Sequence, residues 1–326
     1  MQKQFDVMGI GVSVLDTVMV VDGFPAEESV VRAQQRAVGI GGGIAVATAT
    51  VGALGGRAAF ADLLGFDPMS ESILAALRAA AVDVQWVQQV EGQAASVATI
   101  WVNAASASAS RTIVFAPAND RELPWSDELA RGVAAAKILH LNGRHLQTCL
   151  RAIEVAKQHG TLVSFDGGAH RYRNEVLPLV RASDLLIVSE HFAHAHFHAQ
   201  TKSSCHVAPA ELVAFLQAEF GSRCVGVTCG ERGSWIAQRD ETPWHQPATQ
   251  VTSVRDTTGC GDTYHGAFLF AFSKGFSTRE CARVASLVAA QNATELGAFA
   301  LDAKQVSAML TSHATEGLQR RLGKRH

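Results

Sequence analysis

Short apolar runs that end in glycine or a polar residue recur along the chain, and between them apolar positions fall three and four apart. Phe5-Asp6-Val7-Met8-Gly9-Ile10-Gly11 reads as a first strand ending in glycines, and Val18-Met19-Val20-Val21 continues as another. Gly41-Gly42-Gly43 opens a helix over residues 44–54, and Ala58-Ala59-Phe60-Ala61 is a short buried strand. Residues 70–80 carry Ile73, Leu74 and Leu77 at helical spacing. Further on, strands at 138–141, 162–165, 185–188 and 224–228 are separated or followed by helices at 146–159, 175–180, 209–220 and 261–274. A last helix spans about 278–295. Strand-then-helix alternation with short glycine-containing joints predicts an α/β fold, a mostly parallel sheet sandwiched by helices.

One segment breaks this rhythm. Residues 97–102 and 111–115 are β-rich and are separated by Asn103-Ala104-Ala105-Ser106-Ala107-Ser108-Ala109-Ser110. A small-residue spacer between two such runs predicts a β-hairpin projecting from the α/β body. It suits a lid over a substrate, and equally an ordinary edge hairpin. The predicted strands of the body repeatedly end in polar residues: Arg144, Asp166, Ser189-Glu190 and Thr228-Cys229-Gly230. Ligands of open α/β sheets lie in the crevice beyond those ends.

Composition narrows the partners. Across 326 residues, 48% are hydrophobic and 18% charged, so a sizeable core is expected. Lys plus Arg (28) nearly balance Asp plus Glu (30), which argues against nucleic acid or a membrane surface as a partner. The basic tail at 319–326 reads as a frayed terminus. Six cysteines without a Cys-x-x-Cys pair predict a reduced, cytoplasmic protein lacking structural zinc. No apolar signal-peptide core follows Met1. The uncharged stretch 37–56 contains seven glycines, a poor composition for a membrane span, and reads as a glycine loop entering a buried helix.

The sharpest chemistry lies in Asp256-Thr257-Thr258-Gly259-Cys260-Gly261-Asp262, directly before an Ala/Phe-rich helix. Two glycines flanking a small residue let successive backbone N–H groups point into one cavity, and the positive helix end adds to that anion site. A carboxylate there repels an anion unless it has work to do. Accepting a proton from a hydroxyl that attacks a phosphoryl group is such work. The plainer alternative is an N-capping Asp after a glycine turn, and the motif alone leaves both open.

Four motifs in order resemble the ribokinase-like, or pfkB, family of carbohydrate kinases, over residues 9 to about 300. They are Gly41-Gly42-Gly43 with its Ala-rich helix and Leu54-Gly55, Gly65-Phe66-Asp67-Pro68, Thr228-Cys229-Gly230-Glu231-Arg232-Gly233, and the Asp256–Asp262 motif. The resemblance implies one ribokinase-like domain over 1–326, a three-layer α/β/α sandwich with a small β-hairpin lid whose strands come from about 13–38 and 96–116. It implies Asp262 as catalytic base and the amides of Gly259, Cys260 and Gly261 as the hole for the transferred phosphoryl group. Thr228, Gly230 and Gly233 would line the nucleotide, with Asn292 near adenine. Asp16, Gly41 and Gly42 would meet the sugar, and Asp256 and Thr258 fall where many members hold potassium. ATP and Mg2+ are the implied cofactors, and the lid is implied as a homodimer clasp.

The chain departs from that pattern in places. Val46 replaces an Asn that reads sugar hydroxyls. Ser189-Glu190-His191-Phe192 alters the family's N-x-x-E segment, leaving Glu190 as the nearest magnesium-organising acid. Cys260 stands where alanine is usual. Gly23-Phe24-Pro25, Gly143-Arg144-His145 and Ser189-Glu190 look most like the sulfosugar-kinase branch, but Val30 and Phe115 occupy its sulfonate-reading positions. Arg144 would then meet an acidic group on the substrate, a surface salt bridge being the alternative. His191, His194, His196 and His198 read as a solvated helix rather than a dedicated metal site, although 191, 194 and 198 share a helical face. Asp166 and Arg171 flank Gly167-Gly168 and read either as ligand contacts or as a turn-stabilising pair. The expected activity is ATP-dependent phosphorylation of a primary alcohol on a small sugar or sugar acid. A nucleoside kinase and a catalytically silent sensor are the alternatives.

Overall fold

A computed structural model of the chain describes residues 3–106, 110–118, 121–301 and residue 306. The first half runs β1 (Phe5–Ile10), β2 (Val14–Val21), β3 (Gln35–Gly41), α1 (Gly43–Ala53), β4 (Ala58–Leu64), α2 (Pro68–Ala79), β5 (Val82–Gln89), β6 (Ser96–Asn103) and β7 (Arg111–Ala116). The middle holds α3 (Asp127–Ala135), β8 (Ala136–Leu141), α4 (Leu146–Gln158), β9 (Leu162–Gly167), α5 (Leu177–Arg181), β10 (Leu185–Ser189) and α6 (Glu190–Thr201). The chain continues through α7 (Pro209–Phe220), β11 (Cys224–Thr228), β12 (Ser234–Gln238), β13 (Trp244–Gln246), α8 (Cys260–Ser273) and α9 (Thr278–Asn292).

Nine strands form one sheet in the order β13-β12-β11-β10-β9-β8-β1-β4-β5, parallel except at the β11–β12 and β12–β13 pairs. Side chains alternate between its faces along each strand. Val7, Phe60, Ile138 and Ile187 pack with α1, α2, α8 and α9, while Met8, Ala59, Leu139 and Leu186 pack with α3 to α7. Both faces are covered, so the central strands read as unbroken apolar runs rather than as alternation. Residues 263–271 of α8 are all buried, which accounts for an Ala/Phe-rich run without a polar stripe. At α2, Asp67 accepts hydrogen bonds from the Met69 and Ser70 amides and Pro68 takes the first helical position, so the Gly65–Pro68 motif is a helix start.

The remaining four strands form a second sheet, β3-β2-β6-β7. The expected hairpin at 97–102 and 111–115 is its outer half, extended slightly to β6 and β7. Its inner half is β2 and β3, and β2 pairs in parallel with β6. The uncharged stretch 37–56 therefore divides into strand and helix, because Ala37–Gly41 hydrogen-bond to β2 before α1 begins. This sheet has one apolar face, built from Val14, Val18, Val20, Ala98, Ile100 and Val102. Where the chain leaves β1 for it, the Ser13 amide and hydroxyl donate to Asp62 Oδ2 (2.7 and 2.5 Å). His145 Nε2 lies 3.1 Å from Asp62 Oδ1, and its Nδ1 accepts from the Leu123 amide at 3.0 Å. Among the described residues no helix is long and apolar enough to cross a membrane. Residues 107–109 of the spacer and the basic tail 319–326 lie outside the described residues.

Candidate active site

The loop before α8 is clamped from two sides. Asp256 is fully buried; its Oδ1 accepts from the Thr258 amide (2.8 Å) and hydroxyl (2.6 Å), and its Oδ2 from the Gly297 amide (3.0 Å). Asn292 Nδ2 donates to the carbonyls of Thr258 (3.2 Å) and Ala298 (3.3 Å), and its Oδ1 accepts from Ala300 N (3.0 Å). Gly259 caps the helix at φ 72°, and a Cβ there would lie 2.0 Å from the Ala298 carbonyl oxygen, so the turn requires glycine. Two residues later the reverse holds: a Cβ on Gly261 would meet nothing within 4 Å. The Cys260 amide makes only a long bond, 3.4 Å, to the Thr257 carbonyl, and the Gly261 amide starts the helix beside open space, which makes an anion site.

That space is continuous with a cavity of about 540 Å³ lined by Thr228, Gly230, Gly233, Cys260, Gly261 and Tyr264, with Ala289 and Ala290 of α9 and Ala293 just after it as an apolar wall. Its size is that of a small-molecule cofactor site. Asn292 does not line it. Its fully buried amide is spent on the loop carbonyls, so the expected place near adenine is corrected to a clamp behind the anion site.

Asp262 enters the crevice from the first turn of α8. A Cβ built on Gly43, at the start of α1, would lie 2.7 Å from Asp262 Oδ1, 3.0 Å from Arg171 Nη1 and 3.2 Å from Asp166 Oδ2. Two carboxylates and a guanidinium thus converge on one bare Cα. Partly exposed at the surface yet walled in by the crevice, the Asp262 carboxyl is pushed up to about 6, by burial first and then by the charge of Asp166. Arg171 and His265 oppose that rise.

Asp166, at the end of β9, bonds Arg171 Nη1 through Oδ2 (3.3 Å) and His265 Nε2 through Oδ1 (3.3 Å). Burial alone would raise its pKa, but the attraction of His265 and then Arg171 outweighs burial and holds it below the usual carboxylate range. Of its two sequence readings the ion pair is present, and it lies inside the crevice rather than in a remote turn.

Asp16 approaches from β2 of the small sheet. It is 5% exposed, and a Cβ on Gly41 opposite would fall 2.1 Å from its Oδ2. Burial first, then the charges of Asp262 and Asp256, push the Asp16 carboxyl up to about 7. Gly42 makes the turn into α1 at φ 89°. Arg144 is exposed, with its guanidinium 6.0 Å from the Phe115 ring centroid; burial of its stem and the charges of Arg171 and Arg173 lower its pKa. Val46 is fully buried in α1.

Two further residues, to which the sequence reading assigns no role of their own, enter the site. Gly43 is the point of closest backbone approach to Asp262, and only its place as the third glycine of the run hinted at it. Arg111 of β7 lines the cavity and donates to Thr257 Oγ1, tying the small sheet to the phosphate-loop motif. It lies beside a spacer whose composition says only that it is a loop.

The residues fit some of the implied groups and not others. The cavity and the α8 start suit a nucleotide, an apolar wall for a base and amides for phosphates. The buried Asp256 carboxylate has no cationic side chain within ion-pair distance among the described residues, which suits a monovalent cation beside the loop. Glu190 does not suit magnesium. Arg232 Nη2 donates to its Oε2, and its Oε1 faces His194 Nε2 at 4.0 Å, whereas magnesium prefers oxygen ligands and retained waters. The expectation that Glu190 organises magnesium is therefore corrected.

A family model described as pfkB family carbohydrate kinase matches residues 4–304. The chain is 24% identical to a ketohexokinase of Mus musculus over 298 residues, 88% of this chain and 95% of that protein. It is 25% identical to a nucleoside kinase of Methanothermobacter thermautotrophicus over 293 residues, 89% of each. Its fold is similar to that of Arabidopsis thaliana ribokinase complexed with ribose and ATP, with a TM-score of 0.77, 24% identity, and coverage of 95% of this chain and 99% of that one. Adenosine kinase from Sinorhizobium meliloti gives a TM-score of 0.77 at 23% identity, covering 94% and 98%.

Proposed function

Starting from the chain's membership of the pfkB family of carbohydrate kinases, which makes it a phosphotransferase with an alcohol acceptor, we propose that it transfers the γ-phosphoryl of ATP to a hydroxymethyl group of a sugar or sugar acid. The observation that carries this reading is the convergence of Asp262, Arg171 and Asp166 at Gly43, beside the open amides of α8. Asp262 takes the proton from the attacking hydroxyl. A carboxyl raised to about 6 is a better base than an ordinary aspartate and is still mostly ionised at neutral pH. The amides of Gly259, Cys260 and Gly261 stabilise the moving phosphoryl group, and Arg171 faces the same space to offset its charge. Asp166 keeps Arg171 in place without competing for the proton.

Thr228, Gly230 and Gly233 border the nucleotide cavity; Asp16, with Gly41 and Gly42 behind it, receives sugar hydroxyls. Magnesium, brought in with the ATP phosphates, would supply charge neutralisation there. Asp256 and Thr258 are the loop's place for potassium. The exposed Val38 and Val114 share the face of the small sheet opposite Asp16 and offer apolar positions for a homodimer clasp.

A sugar acid is favoured by the grouping of Arg144 with Arg171 and Arg173, whose charges, after burial, lower the pKa of Arg144. The nucleoside reading keeps one point in its favour: Val46 offers no hydrogen bond where a sugar-reading Asn would stand. ATP consumption against ketoses, pentoses, sugar acids and nucleosides decides between them. Turnover confined to nucleosides overturns the sugar assignment, and nucleotide binding without any turnover leaves a sensor.

A further inference from the structure

The histidine-rich start of α6 contains an arrangement that phosphoryl transfer does not use. Glu190 and His194 stand one helical turn apart, so their side chains share a face. His206 reaches them from the segment between α6 and α7, its ring stacked on that of His194 with centroids 5.0 Å apart. One ligand atom from each of the three lies within 4.8 Å of the other two. Glu190 Oε1 and His194 Nε2 are both buried, face each other at 4.0 Å, and have no hydrogen bond among the described residues. A polar atom buried without a partner is destabilising, and two such atoms aimed at one point are relieved together by an ion between them.

The neighbours do not fill that role. His198 Nε2 bonds the Cys205 carbonyl at 3.1 Å, the His191 ring packs on His170 at 4.3 Å, and His196 Nε2 bonds Glu219 Oε2 at 2.7 Å. Arg232 takes the other oxygen of Glu190, leaving Oε1 free to ligate.

We propose that Glu190, His194 and His206 form a transition-metal site for one zinc-class divalent ion, with water completing its shell. Two imidazoles and a carboxylate are the donor set of three-ligand zinc centres and a poor set for magnesium. The site is distinct from the crevice around Asp262, and metal binding there does not depend on the kinase reading.

The test is titration of the untagged, metal-stripped protein with Co2+, followed by visible d–d absorption, with Zn2+ then competing. The expected result is a saturable band at one equivalent, displaced by Zn2+ and not by excess Mg2+. His194→Ala and His206→Ala should each weaken binding by more than the roughly 10- to 100-fold that loss of an outer-shell partner costs. His191→Ala and His198→Ala should leave it unchanged. His206 is exposed, so its replacement reports on the ion rather than on folding, which circular dichroism checks. Absence of a band overturns the site, as a direct hydrogen bond between Glu190 and His194 would produce. Binding that survives both Ala variants, that falls equally with His191→Ala or His198→Ala, or that yields to Mg2+ overturns it as well.

Discussion

The two sheets of this molecule solve different problems, and the crevice takes Asp262 and Asp166 from the side of one and Asp16 from the other. The nine-stranded sheet is covered on both faces, and Asp262 rides on α8, a helix buried along most of its length. The four-stranded sheet covers only one face, and Asp16 stands on it, on β2. Their carboxyls feel each other across the gap, since Asp262 contributes to the rise of Asp16 to about 7. On the proposed reading, the base that meets the phosphoryl sits on the body covered on both faces, and Asp16, which would meet the acceptor, sits on the thinner sheet. Rigid placement matters most where charge moves in the transition state.

The largest effect that would break this division is expected from the body. Asp262→Asn should lower kcat roughly 100- to 10,000-fold while nucleotide affinity, followed by calorimetry, stays close to that of the parent. Retained turnover would remove Asp262 as the base. Gly43→Ala should come next. Its methyl would sit 2.7 Å from Asp262 Oδ1, and displacing that carboxylate should cost about 100-fold in kcat with the melting temperature little changed. Asp16→Asn should act on the acceptor instead, raising its KM roughly 10- to 100-fold and sparing the KM for ATP, as loss of a charged hydrogen bond predicts.

Acidity sharpens the comparison further. A base acts only when deprotonated, and a raised pKa moves the loss of activity to higher pH. kcat/KM should therefore fall as pH drops through about 6, rather than through the range of an ordinary aspartate. In Asp16→Asn that limb should stay near 6, because Asp16, pushed up to about 7, is already mostly protonated where Asp262 titrates. The smallest effect concerns the thiol beside the anion site. Burial pushes Cys260 up to about 11, so at neutral pH iodoacetamide should label the exposed Cys205 first and Cys260 slowly, with ATP slowing it further. Mass spectrometry of the labelled protein reads this directly.

How far the sequence carried differs between the same two regions. Strands of the body are uniform apolar runs with polar ends, so β1, β8, β9, β10 and β11 were legible from pattern alone. The antiparallel edge, β12 and β13, and the outer strand β5 were not, because their composition is mixed and only half covered. In the small sheet, β3 was hidden inside a glycine-rich stretch, since its identity as a strand depends on pairing with β2 and not on its own residues. The site divides likewise. Asp262 and the glycines before it were marked by local spacing. Asn292 was misplaced because its role as a clamp is set by residues 258, 298 and 300, which no local pattern brings together. Glu190 was assigned to magnesium by its place in the segment, and its surroundings of Arg232 and His194 exist only in three dimensions.

The Asp62 carboxylate holds the chain just before β2 through Ser13, and through His145 it touches the segment at Leu123, which leads back to α3 after β7. Departure from the body and return to it are thus pegged to the same buried post. An anchor at the root of β2 lies only three residues from Asp16, so the acid proposed to meet the acceptor is tied to the body through that buried post.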